Sequence, residues 1–128
     1  MDEERRELGW TLLKQITGDK GEATIDELRK FSPDLCELII SFAYGDIYSR
    51  PGLDLKMRMI VTLTTLITQG GCDKELEVHV GSALNVGLEA KEIVEVMLHC
   101  IPYIGFPKVM NAIHVARKVF EARGIGIS

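Results

Sequence analysis

Three observations predict an all-helical fold. Apolar residues recur at three- and four-residue intervals in successive segments, and glycines and prolines fall between those segments. No stretch alternates apolar with polar residues as a half-buried strand would. The 128 residues read as a single domain, large enough for one core but with much surface for its volume.

The first helix runs over Glu3 to Thr17, with Leu8, Leu12, Leu13 and Ile16 on one side and Gly18 as its stop. Trp10 reads as a packing or interface residue. Thr24 and Glu27 have capping-box spacing for a short helix through Phe31, and Ser32-Pro33 supplies an N-cap and an N1 proline for the next. That next helix directs Leu35, Leu38, Ile39 and Phe42 inward, then ends in a turn over residues 43–52 containing Tyr44, Gly45, Tyr48 and Pro51.

Asp54 caps a helix from Leu55 to Gln69 whose apolar residues cover most of its circumference, as expected of a central element. Arg58, Thr62, Thr65 and Gln69 form a narrow polar stripe on it, which lines a polar cavity or meets a neighbouring subunit. Gly70-Gly71 breaks the chain, and Asp73 caps the following helix, which buries Leu76, Val80, Ala83 and Leu84 and stops at Gly87. A helix from Leu88 to Ile104 turns Ile93, Val96, Met97, Cys100 and Ile101 inward and bends at Pro102. The last, roughly Lys108 to Ala122, presents Val109, Ile113, Ala116 and Phe120.

Composition narrows the function classes. An apolar fraction of 46% and a mean hydropathy of +0.10 are high for so small a chain, so other copies of the chain are expected to cover part of its apolar surface. Fifteen basic residues are scattered among nineteen acidic ones, giving a net charge of −4, which argues against nucleic acid as a partner. The charged, acidic N-terminus does not read as a secretory signal, and no apolar run reaches membrane-spanning length, so a cytoplasmic protein away from the membrane is expected. Cys36, Cys72 and Cys100 are widely spaced and odd in number, which fits free thiols in a reducing compartment.

Chemistry concentrates on Cys72, Glu75 and His79, at i, i+3 and i+7, on one face of the helix after Gly70-Gly71. His79 titrates near neutral pH, and Glu75 one turn away is placed to orient it. Arg58 matches a carboxylate, and Tyr44, Tyr48 and Tyr103 can add hydroxyl donors. The plain alternative is an ordinary i,i+4 Glu75–His79 pair on a helix surface, with Arg58 in an interface ion pair. His99 and His114 lie on separate helices without ligand spacing, so neither a metal nor a cofactor is expected.

Several motifs together resemble the carboxymuconolactone decarboxylase family, with its alkylhydroperoxidase D-like helical fold. They are Phe42-Ala43-Tyr44-Gly45-Asp46, Leu53 to Lys56 before Arg58, Glu75-Leu76 with His79, Ala83-Leu84-Asn85 with Gly87, Glu92-Ile93, and Tyr103-x-Gly105-Phe106-Pro107 with Asn111-Ala112. The resemblance covers a core of about 33–122 preceded by N-terminal helices. It implies about six helices, a homo-oligomer that is commonly a hexamer, sites at subunit contacts, and a small-molecule substrate.

Two residues depart from the family's pattern. Its peroxidase branch carries Cys-x-x-Cys with a histidine four residues after the second cysteine, and here Glu75 replaces that second thiol. Met59 stands where a glutamate is common. The resemblance therefore implies acid–base decarboxylation of a small carboxylated lactone at His79, with Glu75 and Arg58 as partners and Tyr44, Tyr48, Tyr103 and Cys72 as substrate contacts. A thiol redox protein using Cys72, with Cys36 or Cys100 as resolving thiol, is the alternative. A non-catalytic ligand-binding oligomer is the third reading.

Overall fold

The computed structural model describes residues 2–127, which are helical throughout apart from short connections and contain no strand. By internal contacts the chain divides into two compact units, one ending at Leu55 and one beginning at Lys56.

In the first unit, helix α1 (Asp2–Phe31) is broken only at Gly18. There φ is 66°, a conformation that glycine reaches without the Cβ penalty. Gly18 does interrupt the helix as expected, but helical geometry resumes at once and no new capping box forms. Thr24 lies within a turn, its hydroxyl donating to the Lys20 carbonyl at 2.9 Å. Trp10 shows how sharply the chain turns. Arg29 sits 5.6 Å from its ring centroid and Lys14 5.4 Å, whereas a straight helix would hold Trp10 and Arg29 about 28 Å apart.

Helix α2 (Pro33–Glu37) starts as expected, with the Leu35 N–H donating to Ser32 Oγ at 3.3 Å and Pro33 in the first turn. It leads into a π-helical segment, Leu38–Tyr48, so the expected turn at Tyr44-Gly45 is helical instead. The buried face also differs. Cys36, Ile40 and Tyr44 are inside, while Leu38 and Phe42 are 63% and 55% exposed and Leu35 is exposed as well. The reason is a close crossing with α1, where a Cβ on Gly9 would lie 1.9 Å from the Ile40 carbonyl oxygen. Such an approach requires the face that carries Gly45, and this turns the bulky leucines away. Arg5 closes the crossing with two hydrogen bonds to Asp46, at 2.8 and 2.7 Å.

In the second unit, α3 (Leu55–Gln69) has the expected bounds and buries Met59, Leu63 and Ile67 in one stripe. The apolar cover is narrower than expected, since Met57 and Val61 are 51% and 54% exposed. Helix α4 (Asp73–Asn85) buries Leu76, Val80 and Ala83. Its N-cap is Cys72 rather than Asp73. Helix α5 (Ala90–Ile104) begins two residues later than expected. Its capping box pairs Glu89 with Glu92, a signal easily missed because the cap is neither serine nor threonine.

Helix α6 (Phe106–Ala122) packs on α4 and α5 through Val109, Ala112, Ala116 and Phe120. Arg123 fastens its end to α4, donating to Asn85 Oδ1 at 2.9 Å and to the Gly81 carbonyl at 3.2 Å. No helix among the described residues is long and apolar enough to cross a membrane.

Candidate functional site

Helix α4 places the central trio. Gly70 and Gly71, with φ of 70° and 69°, turn the chain from α3 into α4, and Cys72 follows as the N-cap. Its thiol donates to the Gly70 carbonyl at 3.4 Å and lies 3.8 Å from Gln69 Oε1. Cys72 borders a recess of about 30 Å³ with Gly70, Asp73, Lys108 and Asn111. That volume admits about one water molecule and no substrate. Lys108 reaches across from α6 to the Thr68 carbonyl at 2.8 Å, at the negative end of α3.

Glu75, in the first turn of α4, is exposed. A carboxylate there is stabilised by the positive end of the helix. His79, one turn on, is partly buried. Its Nδ1 is fully buried and makes no hydrogen bond. Burial pulls the imidazole pKa below its usual value, because the cation is the form that loses most on desolvation, and the Glu75 charge opposes that shift. Glu75 therefore acts on the ring through its charge and not as an acceptor for Nδ1. His79 is consequently neutral at pH 7, a buried base with an uncommitted ring nitrogen.

The remaining sequence candidates stand on other helices. Arg58 is half-buried in the second turn of α3, its carbonyl accepting from the Thr62 hydroxyl at 2.9 Å. Tyr103 is 77% exposed near the end of α5, its ring 5.7 Å from that of His99. Tyr44 and Tyr48 belong to the first unit, where their rings stack at 4.7 Å. Tyr44 is buried, and desolvation, helped by Tyr48, holds its hydroxyl protonated well above the usual tyrosine range.

All three cysteines are free thiols, and Cys36 and Cys100 are buried. Burial also raises the Cys100 pKa, which disfavours its thiolate. Among the described residues, no three His, Cys, Asp or Glu side chains are grouped to hold a metal ion. Sequence reasoning missed Lys108 as a neighbour of the Cys72 recess. It gave no sign of the burial of His79 Nδ1, which depends on how the helices pack.

Comparison with known proteins identifies the family. The chain is 35% identical over 125 residues to the 4-carboxymuconolactone decarboxylase of Acinetobacter baylyi, covering 97% of this chain and 92% of the relative. It is 40% identical over 85 residues to the nitrosuccinic acid decarboxylase of Metarhizium robertsii, covering 66% of this chain and 59% of that one. Residues 33–118, which include α4 and His79, match the model of the carboxymuconolactone decarboxylase family. With a family match over most of its length and a relative aligned nearly end to end, the chain belongs to the carboxymuconolactone decarboxylase family.

Proposed function

We propose that the protein is a decarboxylase of small carboxylated lactones, 4-carboxymuconolactone among them, with His79 moving the proton. The observation that carries this reading is the buried imidazole with its unbonded Nδ1. It stands on a helix of the family-matched segment, one turn from a carboxylate.

The reaction breaks the bond between carbon and carboxylate. Carbon dioxide leaves, the electron pair passes through the conjugated system toward the lactone carbonyl, and one proton is added to carbon. No oxidant is needed. A neutral buried histidine suits this balance because the bound anion raises its proton affinity, so that it takes up the proton in the complex and delivers it as the carbanion forms. Arg58 supplies the cation for the substrate carboxylate or lactone oxygen, and Glu75 offsets the charge on the imidazolium. Tyr103 offers an exposed hydroxyl to the same substrate. Cys72 has no role in proton transfer, and Glu75 stands where a second thiol would be required.

The test is turnover of 4-carboxymuconolactone by the purified protein, followed by substrate absorbance and carbon dioxide release. His79→Gln is expected to lower kcat by about 10²- to 10⁴-fold, the usual contribution of a general acid or base, with helix content unchanged. Cys72→Ser is expected to stay within about twofold of wild type. Unchanged kcat in His79→Gln overturns the reading, as does hydroperoxide consumption with a thiol donor that Cys72→Ser abolishes.

A further inference from the structure

The first unit carries a groove of about 730 Å³ between the start of α1 and the residues from Asp34 to Phe42. Leu38 and Phe42, among the most exposed large apolar side chains of that unit, line it about one turn apart. Exposed apolar side chains that adjoin one another mark a contact surface more often than isolated ones do.

The charges of the groove are lopsided. Five carboxylates line it with two guanidinium groups, and both arginines are already committed. Arg5 donates to Asp46 through two nitrogens and to Asp2 through the third, the last at 3.1 Å. Arg6 Nε donates to both oxygens of Glu37, at 2.8 and 2.9 Å. Among the described residues, the side chains of Glu3, Glu7 and Asp34 have no ion pair or hydrogen bond. Glu3 and Glu7 stand one turn apart on α1, where like charges repel. Two exposed apolar side chains therefore sit beside three uncompensated negative charges.

We infer that this groove receives a basic amphipathic helix of another protein, its apolar face on Leu38 and Phe42 and its lysines or arginines toward Glu3, Glu7 and Asp34. The walls are helices whose backbone groups bond within themselves, so an extended segment finds no edge to pair with and recognition falls to side chains. Apolar anchors one turn apart with cations beside them are what a helix supplies at i and i+4. A small cation answers one carboxylate but leaves Leu38 and Phe42 in water. A second copy of the groove has the wrong sign, since a two-fold contact sets the carboxylates against their own image. Opposite charge also speeds encounter and rejects acidic partners.

The test is fluorescence anisotropy with three labelled peptides of one length. The first has leucines at i, i+3, i+4 and i+7 and lysines elsewhere. The second replaces its leucines with serine, and the third replaces its lysines with glutamate. The Leu/Lys peptide is expected to bind wild type in the micromolar range, with a dissociation constant that rises about tenfold between about 50 and about 300 mM salt. The Ser/Lys and Leu/Glu peptides are expected to bind at least about tenfold more weakly. Phe42→Ala, and separately the triple change Glu3→Gln, Glu7→Gln and Asp34→Asn, should each weaken the Leu/Lys peptide at least about tenfold. Asp19→Asn and Glu95→Gln, exposed acids off the groove, should leave it unchanged.

Circular dichroism checks folding, and Leu38→Ser takes the place of Phe42→Ala if that variant loses helix. Wild type that fails to bind the Leu/Lys peptide at about 100 μM overturns the proposal. So does equal binding of the Ser/Lys peptide, which would be charge attraction alone, or a groove variant that binds as wild type does, or a loss as large in the two control variants. Sedimentation equilibrium of Phe42→Ala decides against the remaining occupant. A mass equal to that of wild type is expected, and a smaller one assigns the groove to a contact between copies and overturns the proposal.

Discussion

Replacing His79 by glutamine should change how stability depends on pH, in a direction that the burial of the ring fixes. In the folded chain the imidazole pKa lies below its ordinary 6.5 because the cation would lose its hydration, while in the unfolded chain it returns to about that value. Between the two values the unfolded chain holds a proton that the folded chain lacks, so stability rises with pH there. It is complete above about pH 6.5, falls as the pH drops below that value, and levels off once the folded ring also protonates. One proton sets the steepest slope at about 1.4 kcal/mol per pH unit. The assay is urea unfolding of wild type and His79→Gln from about pH 5 to about pH 8, comparing the two curves so that titrations common to both cancel. The difference should slope below about pH 6.5 and be flat above it. Glu75→Gln adds a second arm, because removing the charge that opposes desolvation should extend the sloping window to lower pH. Parallel curves for wild type and His79→Gln would refute the burial argument, and a window that Glu75→Gln moves upward would refute the electrostatic one.

Three further outcomes can be checked with simple variants. Gly9→Ala should destabilise the chain by about 3 kcal/mol, because its Cβ meets the Ile40 carbonyl oxygen, which is backbone and cannot swing aside. Gly52→Ala, where nothing lies within 4 Å of the added carbon, should unfold at nearly the wild-type urea concentration. Arg58→Ala should raise KM for a carboxylated lactone by about tenfold to a hundredfold, the loss of one charge-assisted hydrogen-bonding group, as read from steady-state kinetics.

Where the sequence was legible, a local signal and the packing agreed. Gly70 closes α3, and Ser32-Pro33 opens α2, because capping and backbone freedom act within a few residues of the feature they cause. Periodicity misled where the packing was decided at a distance. Leu35, Leu38 and Phe42 have core spacing, yet the crossing of α1 at Gly9 selects the Ile40–Gly45 face, a contact between residues more than thirty positions apart. The candidate site divides in the same way. The i,i+4 placement of Glu75 and His79 follows from helical spacing alone, whereas Cys72, at the N-cap, lies outside the helix. The burial of His79 Nδ1 depends on the packing around α4, which no spacing within that helix reveals.

The residue at position 75 decides which kind of chemistry the start of α4 can support. Two thiols one turn apart, at a helix N-terminus that favours thiolate, can close a disulfide and so exchange electrons with a peroxide or another disulfide. Glutamate removes the second sulfur. What remains is a charge that the helix end stabilises and that raises the proton affinity of His79 against the desolvation of its ring. A carboxylate and a buried imidazole exchange protons and no electrons. The loss of carbon dioxide from a conjugated lactone acid has the same requirement, one proton delivered to carbon and no change in oxidation state of the protein. Glu75 thus withdraws this helix from disulfide chemistry and, on the proposed reading, tunes its histidine for proton transfer.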